Sequence, residues 1–82
     1  MMKAIKLYDW LDVEKQHMLL ELPVLSTQSL TRNGKERIFV WTGKGEEFNY
    51  TLYPQYGTAY PEYDNRVQKQ RIAKRYLYDV VE

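Results

Sequence analysis

Residues 30–42 read LTRNGKERIFVWT, and the Asn33-Gly34 pair inside that run constrains the fold more than any other feature of the chain. A two-residue type I′ turn holds both central residues at positive φ, where Asn and Gly sit at least cost, so the pair predicts two antiparallel strands joined directly. With Asn33 and Gly34 as the loop, Thr31 faces Glu36, Ser29 faces Ile38, Gln28 faces Phe39 and Ser26 faces Trp41. A second turn signal, Gly43-Lys44-Gly45-Glu46, leads into EFNYTLY. Pairing Thr42 with Glu47 across it sets Trp41 opposite Phe48 and Phe39 opposite Tyr50, so the four rings share one face. That face is the expected core of a three-stranded meander, and Trp41→Ala on it is expected to cost about 3–5 kcal/mol.

The flanking segments read as helices. Residues 4–22, AIKLYDWLDVEKQHMLLEL, place Leu7, Leu11, Met18 and Leu22 near a helical stripe beside Trp10, and Pro23 stops it, which predicts a helix within 9–21. Alternation of Ile5 and Leu7 with charged or aromatic neighbours also fits a first strand over KAIKLYDW. The last segment, PEYDNRVQKQRIAKRYLYDVVE, opens with Pro61 at a first helical position, and Glu62 and Asp64 lie near the positive end of the dipole. It predicts a helix over 62–80 with Ile72, Ala73, Tyr76, Leu77, Val80 and Val81 on its apolar side and Gln68, Arg71, Lys74, Arg75 and Tyr78 opposite. The expected fold class is α+β: a single domain, residues 1–82, in which a small three-stranded antiparallel meander packs against a C-terminal amphipathic helix and an N-terminal helix.

Composition narrows the chemistry. The chain has 82 residues and no cysteine, which removes disulfides, thiolate metal sites and a cysteine nucleophile and fits a reducing compartment, here the cytoplasm. The opening MMKAIKLYDW has no signal-like apolar run, and no stretch reaches the roughly 20 apolar residues of a membrane-spanning helix, so a soluble protein with no membrane partner is expected. His17 is the only histidine, and Ser26 and Ser29 are the only serines. A Ser-His-acid triad would therefore span distant segments, and one histidine among scattered carboxylates makes a poor metal site. Glu46 and Glu47 are neighbours that point to opposite faces of a strand, and Gly43-Lys44-Gly45 lacks the GxxxxGK[ST] spacing of a phosphate loop. No catalytic residue, cofactor or metal is assigned. Metal-free RNA cleavage by an Arg, Lys and Tyr constellation is the one enzymatic alternative that the residue types allow.

Two interaction surfaces remain. Residues 50–63, YTLYPQYGTAYPEY, hold five of the eight tyrosines and two prolines. Tyr50 falls inside with Leu52, Tyr53 falls outside, Pro54 ends the strand, and 54–61 is expected to be a surface loop around Gly57. Tyr53, Tyr56 and Tyr60, joined by Tyr78 from the helix, form the expected protein-binding surface, because Tyr offers large contact area at low entropy cost. The second surface is cationic. The formal charge is only +1, yet RVQKQRIAKR over 66–75 holds five of the twelve cations and no acid. Arg71, Lys74 and Arg75 on one helix face make nucleic acid the alternative partner. The expected function is thus a small non-enzymatic protein-binding module acting as a regulator or inhibitor, and homodimerisation is compatible with it.

Overall fold

The Asn33-Gly34 turn forms as its sequence requires. In the computed structural model, which describes residues 1–43, 49–62 and 75–82, Asn33 has φ 54° and Gly34 φ 75°. They join β3 (Ser26–Arg32) to β4 (Lys35–Trp41) with Thr31 opposite Glu36, Ser29 opposite Ile38, Gln28 opposite Phe39 and Ser26 opposite Trp41, the expected register. The other strands are β1 (Ala4–Asp9), β2 (Met18–Pro23), β5 (Asn49–Tyr53), β6 (Thr58–Glu62) and β7 (Tyr76–Val81). All seven lie in one sheet in the order β2-β1-β7-β6-β5-β4-β3, and every neighbouring pair is antiparallel.

β2 and β3 stand at opposite ends of that order, yet only Val24 and Leu25 separate them in the chain. The Val24 N–H donates to the Lys3 carbonyl at 2.9 Å, continuing the β1–β2 ladder, and the Leu25 N–H donates to the Trp41 carbonyl at 2.7 Å, continuing the β3–β4 ladder. One bent run of chain therefore serves both edges, and the sheet must roll until its edges meet at this corner. The rolled sheet has an inside. Ile5 and Leu7 of β1, Leu22 of β2, Val40 of β4, Tyr50 and Leu52 of β5 and Ala59 of β6 form one buried cluster, with Ile38, Tyr76 and Tyr78 packed against it. These side chains alternate along their strands, as a one-sided core demands.

Several expectations are corrected. Among the described residues there is no helix, so the fold is all-β rather than α+β, with seven strands in place of three. The predicted helix over 9–21 is the end of β1, a loop and β2, and Lys15 at φ 55° breaks any helical path. Sheet pairing overrides the local helical stripe: Ile5 and Leu7 alternate inward against Val80 and Tyr78 of β7 and Leu22 and Leu20 of β2. The predicted helix over 62–80 ends in β7, where Tyr76 and Tyr78 turn inward together, whereas the helical reading sets Tyr76 with Leu77 and Val81 and Tyr78 on the opposite side. Residues 63–74, with Tyr63, Ile72 and Ala73, lie outside the described residues. The expected loop over 54–61 is a short turn, with Gly57 at φ 68°, followed by β6. β5 does end at Tyr53, before Pro54, and Tyr50 and Leu52 do face inward.

The register between β4 and β5 differs by one residue from the expected one. Trp41 pairs with Asn49, Val40 with Tyr50 and Phe39 with Thr51. A one-residue slip moves a strand's residues to the opposite face relative to its neighbour. Val40 is thus inside at 1% exposure, while Trp41, expected to be core, is 37% exposed on the outer face beside Phe39. Phe48 lies outside the described residues. The cost of truncation shifts with it. Leu52→Ala, at a fully buried position, should destabilise the protein by about 2–5 kcal/mol, and Trp41→Ala by about 1 kcal/mol or less. Urea unfolding midpoints of the two variants check this ranking, and a larger loss at Trp41 would contradict the face assignment.

Candidate functional site

The outer face of the sheet carries the side chains the core does not use. Along β4 the odd positions are Lys35, Arg37, Phe39 and Trp41, and the even positions are Glu36, Ile38 and Val40. The aliphatic even set faces the interior. The odd set, two cations and two rings, therefore faces out. Cross-strand pairing extends it: Phe39 stands opposite Thr51, which stands opposite Tyr60, and Tyr53 stands opposite Thr58. Leu30 of β3 lies opposite Arg37 and Arg32 opposite Lys35.

The rings and cations touch one another. The Arg37 guanidinium lies 5.5 Å from the centre of the Tyr53 ring, and Tyr53 meets Tyr60 edge to face with centroids 5.4 Å apart. Arg–aromatic contacts of this kind are worth about 0.5–1 kcal/mol at exposed sites. Two adjoining depressions border this cluster. One, of about 490 Å³, is lined by Leu30, Arg32, Lys35 and Arg37 from the β3–β4 hairpin and by Tyr53 and Tyr56 facing it. The other, of about 340 Å³, is lined by Tyr53, Tyr56, Thr58, Tyr60 and Arg75. Tyr53 and Tyr56 belong to both, Tyr56 is 62% exposed, and among the described residues no carboxylate lines either.

At the far end, the Arg75 guanidinium lies 4.3 Å from the centre of the Trp10 ring, in the loop between β1 and β2. That loop is built on Asp12, whose carboxylate accepts the backbone N–H groups of Gln16 at 3.1 Å and His17 at 2.9 Å. Lys15 pins it to β7 by donating to the Tyr78 carbonyl and the Asp79 carboxylate. The His17 and Gln16 N–H groups favour the ionised carboxylate and hold Asp12 below its usual value of 3.8.

Of the expected binding residues, Tyr53, Tyr56 and Tyr60 are brought together. Tyr78 is not among them, because it lies on the inner face against the core. Burial, and secondarily the charge of Glu36, pushes its phenol above the usual 10.0. Arg71 and Lys74 lie outside the described residues. Arg75 stands immediately before a strand, so the basic-helix expectation fails where it can be followed. Arg32, Lys35 and Arg37 were not expected at the site. Their signal was the parity of β4, with two cations in phase with two rings. Ser29 donates its hydroxyl to Glu36 at 2.8 Å, and among the described residues no three His, Cys, Asp or Glu side chains group as for a metal ion. Among them, too, no helix is long and apolar enough to cross a membrane. Comparison with family models, curated proteins and solved structures finds no match to this chain.

The loop that carries Trp10 should respond to acid. Asp12's lowered value means that its contribution is complete above pH 3.8 and is lost as the pH falls through the lower folded value. The amide resonances of Gln16 and His17 should move together in one titration with its midpoint below 3.8. A midpoint at or above that value would show that these hydrogen bonds do not hold the carboxylate.

Proposed function

We propose that this chain is a non-enzymatic binding module that holds nucleic acid on the outer face of its sheet. The observation that carries the proposal is the pair of adjoining depressions, lined by Arg32, Lys35, Arg37 and Arg75 with Tyr53, Tyr56 and Tyr60 and, among the described residues, by no carboxylate. Phosphates supply the countercharge that such a face lacks, and neutralising them releases condensed counterions, which supplies much of the affinity. Total charge does not decide the matter. A domain of net charge +1 attracts a polyanion only where its cations are gathered, and here four are gathered on one surface. The expected affinity is modest and strongly dependent on salt.

A protein partner is the second candidate, favoured by the exposure of Tyr56 at 62% beside arginines, since Tyr and Arg are common interface anchors. Salt titration separates the two. Nucleic acid should be retained at low ionic strength, and the slope of log K against log salt should flatten by roughly 0.7–0.9 for each phosphate contact removed in the Lys35→Gln, Arg37→Gln double variant, with its melting temperature nearly unchanged. If the unmodified protein retains neither DNA nor RNA at low salt, the nucleic-acid proposal fails and the tyrosine cluster stands as a protein-binding surface.

A further inference from the structure

A duplex and a single strand present different chemistry to a cationic face. In a duplex, successive bases lie about 3.4 Å apart along each strand and cover one another's faces, so a protein meets only phosphates, sugars and groove edges. A single strand also offers its ring faces, which stack on aromatic side chains and on guanidinium planes. The outer face has the second kind of partner in quantity. Phe39 and Trp41 on β4, Tyr53 on β5 and Tyr60 on β6 all project from the side of the sheet that is not the core.

Their placement is that of a platform. Phe39 and Trp41 are two residues apart on one strand, a step of about 6.6–6.8 Å, which leaves each ring a face of its own. Thr51, opposite both Phe39 and Tyr60, is only 4% exposed. That burial shows that its larger neighbours close over it, so the rings border one continuous surface. Cations flank the rings at both ends, Arg37 over Tyr53 and Arg75 over Trp10. Trp41 is exposed and Phe39, Tyr53 and Tyr60 are half-buried, and ring surface that remains open has no role in contacting duplex phosphates. Four such rings on a single sheet face, bordered by cations, match a ligand that is both anionic and unstacked.

We propose that this face is a stacking platform for single-stranded nucleic acid. Bases lie against Tyr53, Tyr60, Phe39 and Trp41, and phosphates run along Arg32, Lys35 and Arg37. Stacking of this kind accepts every base, so the platform binds with little sequence preference. The inference rests on the nucleic-acid proposal above and adds the strandedness and the role of each side chain.

The test compares a labelled thymidine oligonucleotide of about ten nucleotides with a duplex of the same length, by fluorescence anisotropy at low salt. The single strand should bind at least about tenfold more tightly. In a Trp10→Phe background Trp41 is the sole indole, and its emission should be quenched by the single strand. Tyr60→Leu should weaken single-strand binding by about tenfold and leave both duplex binding and the salt slope unchanged, whereas Arg37→Gln should weaken both ligands. Duplex binding equal to or tighter than single-strand binding, with no Trp41 quenching, overturns the platform and leaves the nucleic-acid proposal standing, with the β3–β4 hairpin in a groove as its natural geometry. Binding of neither ligand overturns the nucleic-acid proposal itself. The wild-type comparison and the Trp41 signal decide between these outcomes even if Tyr60→Leu fails to fold.

Discussion

Two residues, Val24 and Leu25, tie together the two edges of a seven-stranded sheet, and the rest of the molecule follows from that tie. An open sheet of this size would need a layer packed on each apolar face. Rolling the sheet lets its strands supply the core to one another from the inside. The interior is narrow, so it takes few side chains: Ile5, Leu7, Leu22, Val40, Leu52 and Tyr50, with Ala59, the smallest, between Leu52 on β5 and Tyr76 on β7. The outer face of β4, β5 and β6 is left to carry whatever the core does not require. Phe39, Trp41, Tyr53 and Tyr60 are on the outside because the closure leaves them no other place.

The β3–β4 hairpin was legible because Asn33-Gly34 is a local signal whose conformational demand no tertiary contact needs to support. The next connection was not, because Gly43-Lys44-Gly45-Glu46 admits more than one loop length, and a difference of one residue reverses which face of β5 matches which face of β4. Pairing Thr42 with Glu47 puts Phe39 and Trp41 on the core face with Tyr50, although their parity on the strand is shared with Lys35 and Arg37 and not with Ile38 and Val40. A strand face that includes two cations is a poor core, and that rule alone would have put the rings outside and identified Lys35 and Arg37 as their companions. Tyr53, Tyr56 and Tyr60 were found by composition, and Arg32 was missed because the hairpin turn separates it from Lys35 in sequence while placing it opposite in space.

At both ends of the chain, local pattern and long-range pairing disagreed. WLDVEKQHMLLEL has helix-forming residues at helical spacing, yet β1 pairs with β7 across nearly the whole chain, and no local window contains that contact. Asp12 then serves a tight loop by accepting two backbone N–H groups, a role that competes with a continuous helix. In YLYDVV the aromatic and β-branched content was itself a strand signal. It was outweighed by the amphipathic spacing read across the whole of 62–80.

A net charge of +1 by itself offers a polyanion little attraction, and the placement of the described acids decides where the attraction lies. Asp79 is occupied by Lys15, Asp12 and Asp9 accept backbone N–H groups of the β1–β2 loop, and Glu14 accepts the Gln16 side chain. Glu36 takes the Ser29 hydroxyl and influences Tyr78 from the inner side of the hairpin, and Glu21 stands across from Lys6. None of these carboxylates lines the two depressions. Arg37 and Arg75 do, and they lie against rings, which hold them in position without neutralising them. An ion pair would have cancelled the charge it oriented, whereas a stacked guanidinium keeps its full charge and several of its N–H donors for a ligand. The same net charge spread evenly over the surface would produce no such field. Among the described residues, sorting the charges, with acids in the loop and hairpin interior and arginines on aromatic supports, is what gives a nearly neutral domain a cationic face.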